Sequence, residues 1–149
     1  MNISRLLVLT LGSLLCAGAP AAPAASKAET VVANYLAAHN AKDIDGLLAL
    51  LSDAVDMRIL MPDGTPESKR LLNRAQQRET FANAFRINPN AKFRVLAQVV
   101  SGSTVVVREE GTGLVGDMRE LGLTLYRVNG DKIAAIWILN GEGAQRDKR

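Results

Sequence analysis

Between Val31 and Asp56 the hydrophobic positions change their spacing, and that change outlines the first half of a domain. The run VVANYLAAHNAKDIDGLLALLSDAVD opens with Val32, Tyr35, Leu36 and His39 at i, i+3, i+4 and i+7, the stripe of a helix with one buried face. Ser26 and Glu29 ahead of it form a capping-box pattern, in which serine takes a free amide and glutamate reaches back. Asn40-Ala41-Lys42 interrupts the stripe. Asp43 then predicts an N-cap for a second helix, where Ile44, Leu47, Leu48 and Leu51 repeat the spacing until Asp53 stops it. From Val55 the period drops to two. Val55, Met57, Ile59 and Met61 share one side and Asp56 and Arg58 the other, which predicts a half-buried strand.

Pro62-Asp63-Gly64 turns the chain, and the polar stretch to about Asn73 reads as a loop. A third helix follows, with Phe81 and Phe85 one turn apart, and Asn88-Pro89-Asn90 ends it. The rest reads as strand: Lys92 to Ser101, Ser103 to Glu110, Asp117 to Val128 and Lys132 to Asn140. Gly102, Gly111-Thr112-Gly113 and Asn129-Gly130 separate them, the last as a type I′ hairpin signal. Four strands joined by short turns predict an antiparallel meander. Helices first and sheet afterwards make the fold class α+β. A curved sheet wrapped around the early helices leaves a cavity between the two layers.

The ends add a compartment. Met1 to Arg5 carries one positive charge, Leu6 to Ala17 is an apolar run too short to span a bilayer, and small residues and prolines follow. That is the pattern of a signal peptide over residues 1–24, with cleavage expected between Ala22 and Ala25 and a periplasmic or secreted domain at 25–140. Membrane contact is then expected only through the leader before cleavage. The polar stretch Gly141 to Arg149 reads as a disordered tail. The single cysteine, Cys16, lies in the leader. The mature domain therefore has no thiol for a disulfide, a metal or nucleophilic catalysis. Loss of Arg5 with the leader lowers the formal charge from +3 by one, too little for a nucleic-acid partner on charge alone. Lys69, Arg70, Arg74, Arg78 and Arg86 gather the basic residues, and read as a solvated face rather than an anion site. One histidine with no carboxylate at metal spacing gives no metal site, and no phosphate loop or other cofactor motif appears.

The order helix, helix, strand, helix, four strands resembles the nuclear transport factor 2-like fold, whose members include ketosteroid isomerases and SnoaL-like cyclases. VVANYLAAHNAKDIDGLLALLSD is similar to the isomerase opening, and Arg78-Glu79-Thr80-Phe81-Ala82-Asn83 to its third helix. The turn Pro62-Asp63-Gly64 and the ending YRVNGDKIAAIWIL resemble bacterial SnoaL-like proteins. The resemblance covers nearly all of Thr30 to Leu139. It implies a cone of early helices packed on a curved antiparallel sheet, and it names no activity, since this fold hosts many. Carried over residue by residue, the oxyanion-hole tyrosine of the isomerases falls on Tyr35, their catalytic base on Ile59, their oxyanion-holding aspartic acid on Thr124, and a supporting tyrosine on Phe81. Isoleucine cannot carry a proton, so the resemblance implies that the isomerase mechanism in its known form is absent.

The same carry-over sets strand parity. Met57, Ile59, Met61, Val105, Val107, Glu109, Glu120, Gly122, Thr124, Tyr126, Ala134, Ile136 and Ile138 then face inward, and Arg108 and Glu110 face away. With a hairpin pivot near Leu114, Glu109 and Glu120 come out as directly facing neighbours whose repulsion should keep one protonated. The other face carries Leu121, Leu123, Leu125, Ile133, Ala135, Trp137 and Leu139, too much apolar surface for solvent, and the resemblance implies a homodimer there. The leading reading is a periplasmic domain without a cofactor that binds a small apolar molecule through Met57, Ile59, Val107, Glu120, Thr124 and Ile138. A second is a lyase, isomerase or hydrolase with Glu109 as base and Tyr35 as oxyanion donor. A third is a homodimeric interaction module whose cavity its own side chains fill.

Overall fold

The computed structural model describes residues 25–61, 63–114, 118–140 and 145–146. The expected leader and most of the expected C-terminal tail lie outside the described residues. The first helix, α1 (Lys27–Ala41), opens on the capping box. Ser26 Oγ accepts from the Glu29 amide at 3.2 Å, and Glu29 Oε2 accepts from the Ser26 amide at 2.6 Å. It ends at Lys42, whose φ of 60° lets its own amide return to carbonyls of the last turn. Asp43 caps α2 (Ile44–Leu50), accepting from the Gly46 amide at 2.9 Å. A Cβ at residue 46 would lie 2.2 Å from the Asp43 carboxylate, so a larger residue there would make the cap shift. Leu51, expected inside the second helix, is instead its C-cap, with its amide bonded to the Leu48 carbonyl. It opens strand β1 (Leu51–Leu60) and stays buried.

Pro66–Asn73, expected as loop, is strand β2, antiparallel to β1 with Ala54 opposite Asn73 and Ile59 opposite Ser68. PESKRLLN hides it because β2 is an edge strand in which Leu72 alone is buried. Charged edges discourage further pairing and erase the alternating pattern. Helix α3 (Arg74–Ile87) starts on a second capping box, Asn73 with Gln76. Strands β3 (Lys92–Ser101), β4 (Thr104–Leu114), β5 (Met118–Asn129) and β6 (Lys132–Asn140) form the expected meander, and β7 (Gln145–Arg146) pairs with Met118 and Arg119.

The sheet runs β2-β1-β6-β5-β4-β3. It is mixed rather than wholly antiparallel, because β1 lies parallel to β6. Hairpin signals report only neighbours in sequence, whereas β1 and β6 meet across most of the chain. Two turn expectations also shift. Gly111-Thr112-Gly113 belongs to β4, with a register irregularity between Gly111 and Leu114. Gly113 sits at φ 67°, where a Cβ would come within 2.3 Å of the Asn90 carbonyl oxygen. Asn129 pairs with Lys132, so the last hairpin turns on Gly130-Asp131, and Gly130 alone has positive φ, at 65°. That matches a II′ turn, since I′ needs two such residues.

Val32, Tyr35 and Leu36 of α1, Leu47 of α2 and Phe81 of α3 pack on Val55, Val105, Val107, Tyr126 and Ile136 of the sheet. One parity expectation fails. Ile133, expected on the outer face, is fully buried in the core. Arg127 pairs with Ala135 while Val128 pairs with Ile133, so Ala134 is an extra residue that reverses alternation along β6. On the outer face Arg58, Trp137, Leu125, Val106 and Val99 stand side by side across five strands. The Arg58 guanidinium stacks 4.4 Å from the Trp137 ring, and Trp137 Nε1 donates to Asp56 at 3.3 Å.

Candidate functional site between sheet and helices

Two adjoining spaces open between the sheet and the helices. The inner one, about 200 Å³, is walled by Tyr35, Leu36 and His39 of α1, Thr80, Phe81 and Ala84 of α3, Met57 of β1, and Phe93, Glu109, Thr124, Tyr126, Ile136 and Ile138. The outer one, about 310 Å³, is walled by Ile59, Phe93, Glu109, Gly111, Glu120, Gly122 and Ile138. Phe93, Glu109 and Ile138 border both. A larger groove, about 600 Å³, lies between β2 and α3. Its charged side chains, Arg70 and Glu79, are exposed.

Parity brings together most of the residues that the sequence singles out. Tyr35, Met57 and Thr124 border the inner space, Ile59 and Glu120 the outer, and Glu109 and Ile138 both. Val107 does not reach either. It is fully buried in the core beneath them. Met61 lies beyond the end of β1 and is 42% exposed. The facing of Glu109 and Glu120 needs correction. Glu109 pairs with Gly122, and Glu120 with Gly111. Leu114 pairs with Met118, so the hairpin closes beyond Leu114 and the register moves by two residues. A shift of two preserves parity, so both carboxylates stay on the concave face as diagonal neighbours.

Glu109 is the chemical centre. Thr124, 1% exposed, donates its hydroxyl to Glu109 Oε1 at 2.5 Å. Glu109 Oε2 is buried and has no hydrogen-bond partner. Burial pushes the Glu109 carboxyl above the usual carboxylate range, the Thr124 bond opposes that, and the charge on Glu120 adds to it. Burial, then the Glu109 charge, raises the Tyr35 phenol. Tyr126 is raised by the same causes and shares a hydrogen bond with Thr124. The Tyr35 and Tyr126 rings meet edge to face at 5.7 Å. A weakly acidic carboxyl between two protonated phenols can accept or give a proton, or hold a polar ligand group, in apolar surroundings.

Two wall residues escaped sequence reasoning. Phe93 is fixed by Asn40, whose side chain accepts from the Phe93 amide and donates to its carbonyl, both at 2.8 Å. The amide thus mimics a neighbouring strand on the free edge of β3. An asparagine in the last turn of a helix was the available signal, but nothing in sequence says which strand it will meet. The sequence sets His39 on the apolar stripe of the first helix and gives it no role. The structure sets it among Phe85 and Phe93, with ring centroids at 5.0 Å, and Phe81 at 6.2 Å. Burial, and then the charge of Lys42, lower its pKa to about 4, and Nδ1 is buried without a partner. The basic residues of α3 are structural in part: Arg74 binds Asp53 at 2.7 Å and Arg78 binds Asp45 at 2.5 Å. Among the described residues no three His, Cys, Asp or Glu side chains gather as a metal ion would need.

The sequence model of the SnoaL-like domain matches residues 32–136. The chain belongs to the SnoaL-like domain family. No curated protein matches it. Solved structures share the fold of this SnoaL-like domain at low identity. A provisionally assigned ketosteroid isomerase from Kribbella flavida superposes with a TM-score of 0.62 at 17% identity, covering 83% of this chain and 84% of its own. A SnoaL-like protein of unknown function from Burkholderia thailandensis gives 0.61 at 18%, covering 77% and 95%. A provisionally assigned polyketide cyclase from Sinorhizobium meliloti gives 0.62 at 15%, covering 73% and 93%. At such identities the likeness establishes the nuclear transport factor 2-like fold, and the chemistry of the site has to be argued from its own residues.

Proposed function

We propose that this SnoaL-like domain is an exported binding domain for a small, mostly apolar molecule, held between sheet and helices. The observation that carries this reading is the pair of adjoining spaces, about 200 and 310 Å³, with aliphatic and aromatic walls and a few converging polar groups. That is the size and character of small-molecule sites in general. It also weighs against an interaction module whose cavity is filled by its own side chains. The signal-peptide pattern supports export. The exposed Leu121, Leu123 and Val99, at 38%, 41% and 70% exposure, support a homodimer through the outer sheet face.

Native mass spectrometry of the protein purified from its own export compartment tests the binding reading, with a retained small-molecule mass as the expected result. Filling the space with Ile138→Trp should remove that mass. A domain that carries nothing and gains no thermal stability from any apolar probe would overturn it. N-terminal sequencing of the same sample tests export, with a start between Ala22 and Ala25 expected.

One observation favours a second reading, in which Glu109 is a general base or acid and Tyr35 stabilises an oxyanion. The Glu109 carboxyl is buried and raised, as a proton-transferring group requires. Turnover that rises with ionisation of Glu109 and disappears in Glu109→Gln would favour the enzyme over the binding domain.

A further inference from the structure

Two polar atoms on the walls of the inner space are buried without partners among the described residues, Glu109 Oε2 and His39 Nδ1, and the binding function argued above does not by itself use the second. Both residues border the same space of about 200 Å³. Both side chains are held in place. Glu109 is anchored through its other oxygen by Thr124 at 2.5 Å. His39 is packed edge to face against Phe85 and Phe93, both at 5.0 Å. A buried polar atom left unpaired is costly, and a ligand that pairs it recovers that cost as affinity. The rest of the inner wall is mainly apolar, so these two atoms set what kind of polar group the space accepts.

We infer that the bound molecule is an apolar alcohol, with His39 as a specificity-determining residue that recognises its hydroxyl together with Glu109. The inference rests on the binding reading and narrows its ligand class. The chemistry follows from what each orphan atom offers. A neutral imidazole nitrogen gives or takes one hydrogen bond according to its tautomer, and a carboxyl oxygen does the same according to its proton. A hydroxyl is donor and acceptor at once, so it can accept from one of the two atoms while it donates to the other. A ketone oxygen only accepts, and an ammonium only donates. The imidazole stays uncharged at neutral pH, since burial holds its pKa at about 4, so no ionic group is needed on the ligand.

The test uses the full mature protein and three probes of one shape: 2-decalol, 2-decalone and 2-aminodecalin, measured by calorimetry at neutral pH. The alcohol is expected to bind at least about tenfold more tightly than the ketone, the discrimination that one unpaired buried group produces. His39→Phe suits its aromatic neighbours and should erase that preference, so that alcohol and ketone bind alike. A second readout needs no variant: the His39 Nδ1 nitrogen-15 resonance of the wild-type protein should move with 2-decalol and not with 2-decalone. Equal binding of alcohol and ketone, a preference that survives in His39→Phe, or tighter binding of the ammonium would each overturn the inference while leaving an apolar binding site in place. Failure of all three probes to bind would instead count against the binding reading on which it rests.

Discussion

Thr124→Val should destabilise the domain by an amount that depends on pH, because it breaks the one hydrogen bond that holds Glu109. The substitution keeps the side-chain shape and removes a hydroxyl that is 1% exposed and 2.5 Å from Glu109 Oε1. The folded-state pKa of Glu109 is raised, by burial first. The neutral acid therefore contributes stability that is fully present below the unfolded value of about 4.3 and is lost as pH rises through the folded value. In that window the folded state holds more protons than the unfolded one, so stability falls with pH. Thr124 limits the fall by stabilising the ionised form, and valine cannot. At pH 4 the variant should lose about 1 kcal/mol, the worth of a neutral hydrogen bond, and at pH 8 about 2–3 kcal/mol, that of a bond to a charge. Urea unfolding of both proteins at the two pH values measures this. In a Glu109→Gln background the variant should cost the same at both. Equal costs in the wild-type background, or a Glu109 carboxyl-carbon titration at the ordinary value, would refute the reasoning.

Other expectations follow from single residues. Leu47→Ala should cost about 2–5 kcal/mol in urea unfolding, because Leu47 is fully buried where α2 meets the core; a loss under 1 kcal/mol would mean that the site collapses around the gap. Leu123→Glu should give monomers in sedimentation experiments with little change in melting temperature, since Leu123 is 41% exposed in the protomer; wild-type protein that is already monomeric at high micromolar concentration would sink the proposed dimer. Turnover of a β,γ-unsaturated ketosteroid should be absent or vestigial, because the resemblance to the isomerases sets Ile59 at the position of their base, and such a base contributes about 10²–10⁴-fold. Turnover at isomerase level would point to Glu109 as a replacement base.

Local rules explain why so much of the fold was readable. The capping box at Ser26, the Asp43 cap, the Phe81–Phe85 spacing and the Asn88-Pro89-Asn90 stop act within a few residues, and α1, α2 and α3 follow from them. β3 and β6 fall where alternation and turn residues put them. β2 was not readable, since an edge strand with one buried residue has no alternating signature. The site was legible to the same depth. Strand parity set Glu109, Glu120, Thr124, Ile59 and Ile138 along the two adjoining spaces, and the helical stripe set Tyr35 there, but parity could not place Ile133 past the extra residue at Ala134.

The amino-acid sequence alone therefore determined the α+β class, the three helices, the closing meander and the family. The helices and turns depend on short-range patterns of hydrophobicity and caps, and the concave placement of the two glutamates on the family resemblance that set strand parity. Tertiary structure alone decided the parallel pairing of β1 with β6, the two-residue offset that sets Glu109 opposite Gly122, the Asn40 clamp that aims Phe93, and the burial of His39 among aromatic rings. These are contacts between residues far apart in the chain. The free energy that selects them is the packing of a shared core, to which every element contributes and which no short segment encodes.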